Sequence, residues 1–213
     1  MNFTDACVFP YPTGDSSIRR MAIEACDLGF DSIVAINSTN CKYAGISVIN
    51  GVFLNDTPVQ DIISKVKRAK VTDNLIFVKT RDNRFNRAVI GIRGVHILYG
   101  LHLTDGYAFD HVVAKMAADS GIAIDLNLSP LINERGQSRQ HVLNRYIDVV
   151  NLYRRFEFPI VLSTHAHSVL ELRSVRDFSA LATLFGFDIQ DVEKALGNIG
   201  RIKSLESAVR EIK

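Results

Sequence analysis

Short aliphatic runs alternate with helix-patterned segments along the whole chain, and a chain built this way buries its strands beneath its helices. Strand-like runs cover residues 4–9, 32–37, 46–54, 75–79, 94–98, 123–128 and 160–163. Most are β-branched or aliphatic with little polar alternation, which suits a parallel sheet covered on both faces. Between them, Val59, Ile62, Ile63, Val66 and Ala69 recur at helical spacing, while Lys65, Lys67 and Arg68 lie off that stripe. Thr57 and Gln60 match a capping box, with Pro58 at the first helical position. A second helix is predicted over 16–28, led by Asp15 and closed by Gly29, and others over 108–120, 138–155, 175–185 and 189–196.

Seven strands separated by helices fit either a doubly wound open sheet or a closed barrel, and periodicity does not choose between them. No GxGxxG or Walker loop follows the first strand, which removes the usual nucleotide-binding support for the open sheet. The expectation is therefore an α/β, TIM-like barrel of about seven mostly parallel strands with surrounding helices. With 213 residues and no linker, repeat or low-complexity stretch, it is read as a single domain over 1–213. Functional loops at the strands' C-terminal ends would be 10–15, 38–45, 80–83, 99–106, 129–136 and 164–172.

No apolar run approaches the roughly 20 residues that span a bilayer, and the N-terminus lacks a basic stretch leading into an apolar one. The chain is expected in the cytosol or nucleus, as a cytoplasmic protein with no membrane partner. Cys7, Cys26 and Cys41 have no metal-ligand spacing and are read as reduced and mostly buried.

Charge is distributed unevenly. Between Lys65 and Arg93, nine basic residues (Lys65, Lys67, Arg68, Lys70, Lys79, Arg81, Arg84, Arg87 and Arg93) face only Asp73 and Asp82, a local net charge of +7. The whole chain carries only +2. Such a segment is either a solvated helical face or the footprint of a polyanion partner. On a helix, Arg81, Arg84 and Arg87 would form one stripe able to track phosphates.

The most suggestive chemical cluster is Ser163-Thr164-His165-Ala166-His167-Ser168, after the last strand. Two histidines at i, i+2 can reach one metal ion, but a working site needs further ligands from other strand ends. Only Asp125 and Glu134 are candidates, and no histidine precedes His96. Asp5 and Asp31 are assigned ordinary capping or salt-bridging roles at strand starts, and no GxSxG elbow is present. Arg154 and Arg155 are read as complementing the dipole of the long helix they end. Arg173 is either a phosphate ligand or the salt-bridge partner of Glu171 or Asp177.

Several blocks together resemble a known family. They are DACVFP, LGFDSIVAI, RAVIGIRGVHIL, DHVVAKMAADSGIAIDLNLSPLI followed by Gly136 and Arg139, and IVLSTHAHSVLELRSVRDFSAL. In these the chain resembles archaeal ribonuclease P protein component 3, which is related to a subunit of the eukaryotic enzyme. The resemblance implies a TIM-like barrel akin to the polymerase and histidinol phosphatase superfamily, in an enzyme whose RNA subunit cleaves the 5′ leader of precursor tRNA. It also implies pairing with ribonuclease P protein component 2 and other protein subunits.

Active superfamily members carry His-x-His after the first strand, where this chain has Cys7-Val8-Phe9. The protein is thus expected to act as a subunit of an endoribonuclease without catalysing alone, with no cofactor of its own and Mg²⁺ on the RNA. His165 and His167 would be a remnant metal or phosphate pocket. Expected RNA contacts are Lys42, Arg68, Lys79, Arg81, Arg84, Arg87, Arg139, Arg173 and Arg176. Two rival readings are an autonomous metal-dependent phosphoesterase using His165, His167 and a carboxylate, and a small-molecule barrel enzyme that binds phosphate at its late loops.

Overall fold

The computed structural model describes residues 2–70 and 74–211, with side chains at 2–68 and 74–204. The chain runs β1 (Thr4–Val8), α1 (Ile18–Asp27), β2 (Ser32–Ile36), β3 (Cys41–Tyr43), β4 (Ile46–Leu54), α2 (Val59–Lys70), β5 (Leu75–Lys79), α3 (Asn83–Ile90), β6 (Ile97–Tyr99) and α4 (His111–Ser120). It continues through β7 (Ala123–Asn127), α5 (Ser129–Asn133), α6 (Gly136–Phe156), β8 (Ile160–Ser163), α7 (Val175–Ala182) and α8 (Ile189–Glu211). The strand order β1-β2-β4-β5-β6-β7-β8 is parallel throughout, and β8 returns to β1 through a Val8–Ala166 bridge. The expected TIM-like α/β barrel is the observed architecture.

Two apolar layers hold it. Val34, Ile36, Leu75, Phe77, Ile97, Tyr99, Ala123 and Val161 form an interior cluster, joined by Ile199 and Ile202 of α8. A larger cluster lies between the outer faces of the strands and the helices, and includes Met21, Ile62, Val66, Val113, Val149 and Phe178. Gly51 permits the tight interior packing: a Cβ there would sit 2.7 Å from Ile36 Cδ1 and 2.9 Å from Val34 Cγ1.

Departures from the sequence reading have local causes. The loop 38–45 contains β3, antiparallel to β4 with Tyr43 opposite Ile46. Its turn places Ala44 and Gly45 at φ 51° and 88°, where a hairpin turn usually advertises itself as Asn-Gly or Asp-Gly, so the signal was weak. The strand expected at 94–98 is instead Ile97–Tyr99, because the Ile76 N–H donates to the His96 ring (2.9 Å). Helix α1 is capped by the Ser17 side chain rather than led by Asp15, with Gly29 at φ 93° just beyond its end as expected.

Helix α8 runs far past 196, through Gly197 and Gly200. It is held by packing against β8 and β1 and by Asn198 Nδ2 donating to Ile160 O (2.7 Å). Arg154 clamps its first turn at Asp191 (Nη1 to Oδ1, 2.8 Å), a tertiary tie rather than only a dipole contact. Of the cysteines only Cys7 is buried; Cys26 is exposed and Cys41 half-buried, since the latter two lie on an outer helix and the β3 edge. The side chains of Ala69 and Lys70, and Asp73, lie outside the described residues.

Candidate functional site

Two regions answer to the functional expectations: the C-terminal mouth of the barrel and the basic face of α2 and α3. The mouth is organised by the seam between β1 and β8. Few ladder bonds cross it, and the buried Asp5 carboxylate supplies others. Its Oδ1 accepts from Thr164 N (3.0 Å) and Cys7 N (3.2 Å), and its Oδ2 accepts from the Thr164 hydroxyl (2.6 Å). Asp5 is therefore a clasp between the barrel's first and last strands, not the cap or salt bridge expected. Burial drives its pKa up to about 6 despite those hydrogen bonds. Burial, reinforced by Asp125 and Asp5, also pushes the Cys7 thiol up.

Next to the clasp, Asp125 on β7 accepts from the Ser163 hydroxyl (2.6 Å) and pairs with His165 Nε2 (2.8 Å). His165 sits at φ 49°, a left-handed conformation uncommon for a residue with a side chain, which turns its ring inward. His167 goes the other way. It is exposed and stacks flat on Phe9, with centroids 4.5 Å apart and planes at 12°.

The two histidines therefore do not converge as their spacing allowed. Phe9 packs against both rings, and Phe53 and Tyr99 extend the aromatic group, with the Phe53 and Tyr99 centroids 4.2 Å apart. Glu134 lies at the end of α5, where its carbonyl accepts from Arg139. Among the described residues no three His, Cys, Asp or Glu side chains form a metal-holding group. Rings stand where further ligands would be needed, so this donor set does not fit a catalytic metal. Two positions before Phe9 stands the buried Cys7, whose thiol pKa burial pushes up.

The rim is equally committed. Gly14 crosses the 164–172 loop so closely that a Cβ would lie 2.1 Å from Phe9 O and 2.2 Å from His167 O, and Asp15 N donates to His167 O (2.8 Å). Arg173 Nη1 donates to the carbonyls of Leu170 (3.0 Å) and Leu172 (2.7 Å), rather than pairing with Glu171 or Asp177. Arg139 is spent in the same way on Ile132 O (3.2 Å) and Glu134 O (3.0 Å) at the end of α5.

The basic face is different. Helices α2 and α3 pack side by side, and Lys65, Lys67, Arg68, Arg84, Arg87 and Arg93 are all exposed on or next to them. Arg84 has no hydrogen bond or ion pair among the described residues. The predicted three-arginine stripe is two residues long: Asp82 caps α3, so Arg81 precedes the helix. Arg81 lies 4.6 Å over the Phe85 ring and 3.6 Å from Asp56, while Arg87 is 3.0 Å from Asp110.

Lys79, half-buried, ends β5 near the mouth. Lys42 pairs with Ser47 near the start of β4, eight residues before the level of Lys79, or roughly 26 Å along the strand. Arg176 is exposed on α7. The expected RNA contacts thus divide into Arg68, Arg81, Arg84 and Arg87 on or next to α2–α3 and five residues elsewhere: Lys42, Lys79, Arg139, Arg173 and Arg176.

Sequence reasoning missed three features here. The stacked Phe53 and Tyr99 rings come from the ends of two strands, and Tyr99 falls in the stretch read as the loop 99–106. The Asp5 clasp joins residues far apart in the chain. Tyr107, 85% exposed, lies one residue beyond the functional loop expected at 99–106 and was not singled out.

Comparison with known proteins supplies the lineage. A family described as RNase P subunit p30 matches residues 2–210. Ribonuclease P protein component 3 of Methanococcoides burtonii is 29% identical over 205 residues, covering 92% of this chain and 84% of that protein. The protein of that name from Methanothermobacter thermautotrophicus is 26% identical over 198 residues, covering 85% and 80%. In fold, the chain is similar to one in the cryo-EM structure of archaeal ribonuclease P with mature tRNA, at TM-score 0.77, 18% identity, and coverage of 96% of this chain and 92% of that one. A Xaa-Pro dipeptidase with bound methionine reaches TM-score 0.65 at 9% identity, covering 97% and 76%. Those structural likenesses speak for the barrel alone; the family match spans nearly the whole chain, and this protein belongs to the RNase P subunit p30 family.

Proposed function

We propose that this chain is a protein subunit of ribonuclease P that binds the catalytic RNA and stabilises it for cleavage of precursor tRNA at the mature 5′ end. The observation that carries the reading is the α2–α3 face, where exposed cations stand together, Arg84 among them without a partner among the described residues. Clustered lysines and arginines release counterions when they meet a phosphate backbone, a gain that needs no catalytic group on the protein. The barrel mouth adds to it: Asp5, Asp125 and His165 are occupied with one another, with hydroxyls or with backbone groups, and His167 is turned away from them onto Phe9. The chemistry then belongs to Mg²⁺ held by the RNA, whose phosphate oxygens and retained waters suit that ion.

Partners in this reading are the ribonuclease P RNA, precursor tRNA, protein component 2 and other protein subunits, in the cytoplasm and away from membranes. No helix among the described residues is long and apolar enough to cross a membrane. To test the reading, cleavage of precursor tRNA by the RNA with its partner subunit is measured with this protein or with the K67A/R68A/R84A variant. We expect the variant to rescue cleavage about tenfold less well at moderate salt and to narrow the gap as salt falls. Equal rescue by both at every salt concentration removes the basic face from the mechanism.

A further inference from the structure

The loop after β6 presents the most exposed large apolar side chain of the described residues. Tyr107 is 85% exposed, and Leu103 in the same loop is 65% exposed. An aromatic ring left in water gains nothing for the fold, so its position matters more than its exposure. Three successive contacts fix that position along α3. Asn83 Nδ2 donates to Tyr107 O (2.9 Å), the buried Asn86 donates to Ala108 O (2.8 Å), and Arg87 meets Asp110 (3.0 Å). The Tyr107 backbone is thereby anchored at the helix start, against Asn83 and so one residue from Arg84, whose exposed guanidinium has no partner among the described residues.

An exposed aromatic ring whose backbone is held close to an exposed arginine offers the pairing that grips single-stranded nucleic acid: the ring takes the face of an unpaired base, and the cation takes a phosphate. We propose that Tyr107 and Arg84 form a subsite for an unpaired RNA nucleotide, with the base stacked on Tyr107 and a flanking phosphate on Arg84. This rests on the RNA-binding reading above and specifies which part of an RNA the α3 edge takes. Duplex RNA hides its base faces, so the subsite discriminates between strands where the rest of the basic face does not.

The test uses the full chain and two labelled probes, a short oligoadenylate and a blunt RNA duplex of the same length. Y107A should weaken oligoadenylate binding about tenfold, with Y107F close to wild type and duplex binding changed less than about twofold. R84A should lower the salt slope on the single strand by about 0.7, and Y107A should leave that slope unchanged. Thermal melting of each variant checks that the fold is intact. If wild type binds neither probe, the RNA-binding reading itself falls and the subsite with it. If wild type binds both and Y107A matches it on oligoadenylate, the subsite alone is overturned and the exposed ring belongs to a protein contact.

Discussion

The β1–β8 seam and the α2–α3 face both carry charged side chains, but they use them in opposite ways. At the seam, Asp5, Asp125, Thr164, Ser163 and His165 satisfy one another in a space from which water is largely excluded. On the helical face, Lys67, Arg68 and Arg84 are open to solvent and make no ion pair among the described residues. Polar groups closed on themselves stabilise a structure, whereas exposed cations of one sign cost it some repulsion and are available to an outside partner. In this barrel Asp5, Asp125 and His165 at the mouth are tied into the structure, while the outer helical wall carries exposed cations of one sign.

Substitution should separate the two regions sharply. D125A strips the buried Ser163 hydroxyl and His165 of their common acceptor and should destabilise by about 3–4 kcal/mol. K67A/R68A/R84A should remain within about 0.5 kcal/mol of wild type. Denaturant unfolding of both checks this, and equal losses would abolish the distinction.

Acidity probes the mouth from within, because two of its buried groups have opposite signs. Asp5 has its pKa raised from 3.8 to about 6, so its contribution to stability is lost as pH rises through 6. His102 has its pKa lowered from 6.5 to about 4, mainly by burial, so the unfolded chain binds its proton first and stability is lost as pH falls from 6.5 towards 4. Between about 4 and 6 the two trends oppose each other. Each is worth up to about 3 kcal/mol at 1.36 kcal/mol per pKa unit. D5N should therefore destabilise progressively on acidification through that window, and H102Q should become more stable on acidification. Parallel stability–pH profiles for the two variants would refute the assignment.

The smallest effects lie where the regions meet. Asp110 caps α4, accepting from Val112 N and Val113 N as well as from Arg87. D110A should cost about 1 kcal/mol through the lost cap. R87A, which breaks only a half-exposed ion pair, should cost about 0.5 kcal/mol or less. If the two were alike, Arg87 would be a structural residue rather than one held ready for phosphate.

Much of the fold was legible because strand and helix periods repeat along the chain. The runs at 46–54, 75–79 and 160–163 became strands with those same bounds, and Ile62 and Val66 of the α2 stripe are buried, although Ile63 is exposed. The β3 hairpin was not legible, since Ala44 takes a turn position that side chains avoid and that Asn or Gly would have announced. Helix α8 was cut short at Gly197 because helix propensity is local, while its continuation depends on the β8 and β1 surface beneath it.

For the site, residue types and charge sums reached the basic segment, but not the partners of each cation. Arg81, Arg139 and Arg173 look like Arg84 in the sequence, and only the folded chain shows that a ring, a carboxylate or carbonyls already hold them. The sequence by itself determined the alternation of strands and helices and the concentration of positive charge between 65 and 93. Tertiary structure alone decided that Asp5 would clasp Thr164, that Phe9 would pack against both histidine rings, and that the Tyr107 backbone would be held by Asn83. Those contacts join segments distant in the chain, and hydrogen bonds and ring packing depend on separation in space, which no local pattern records.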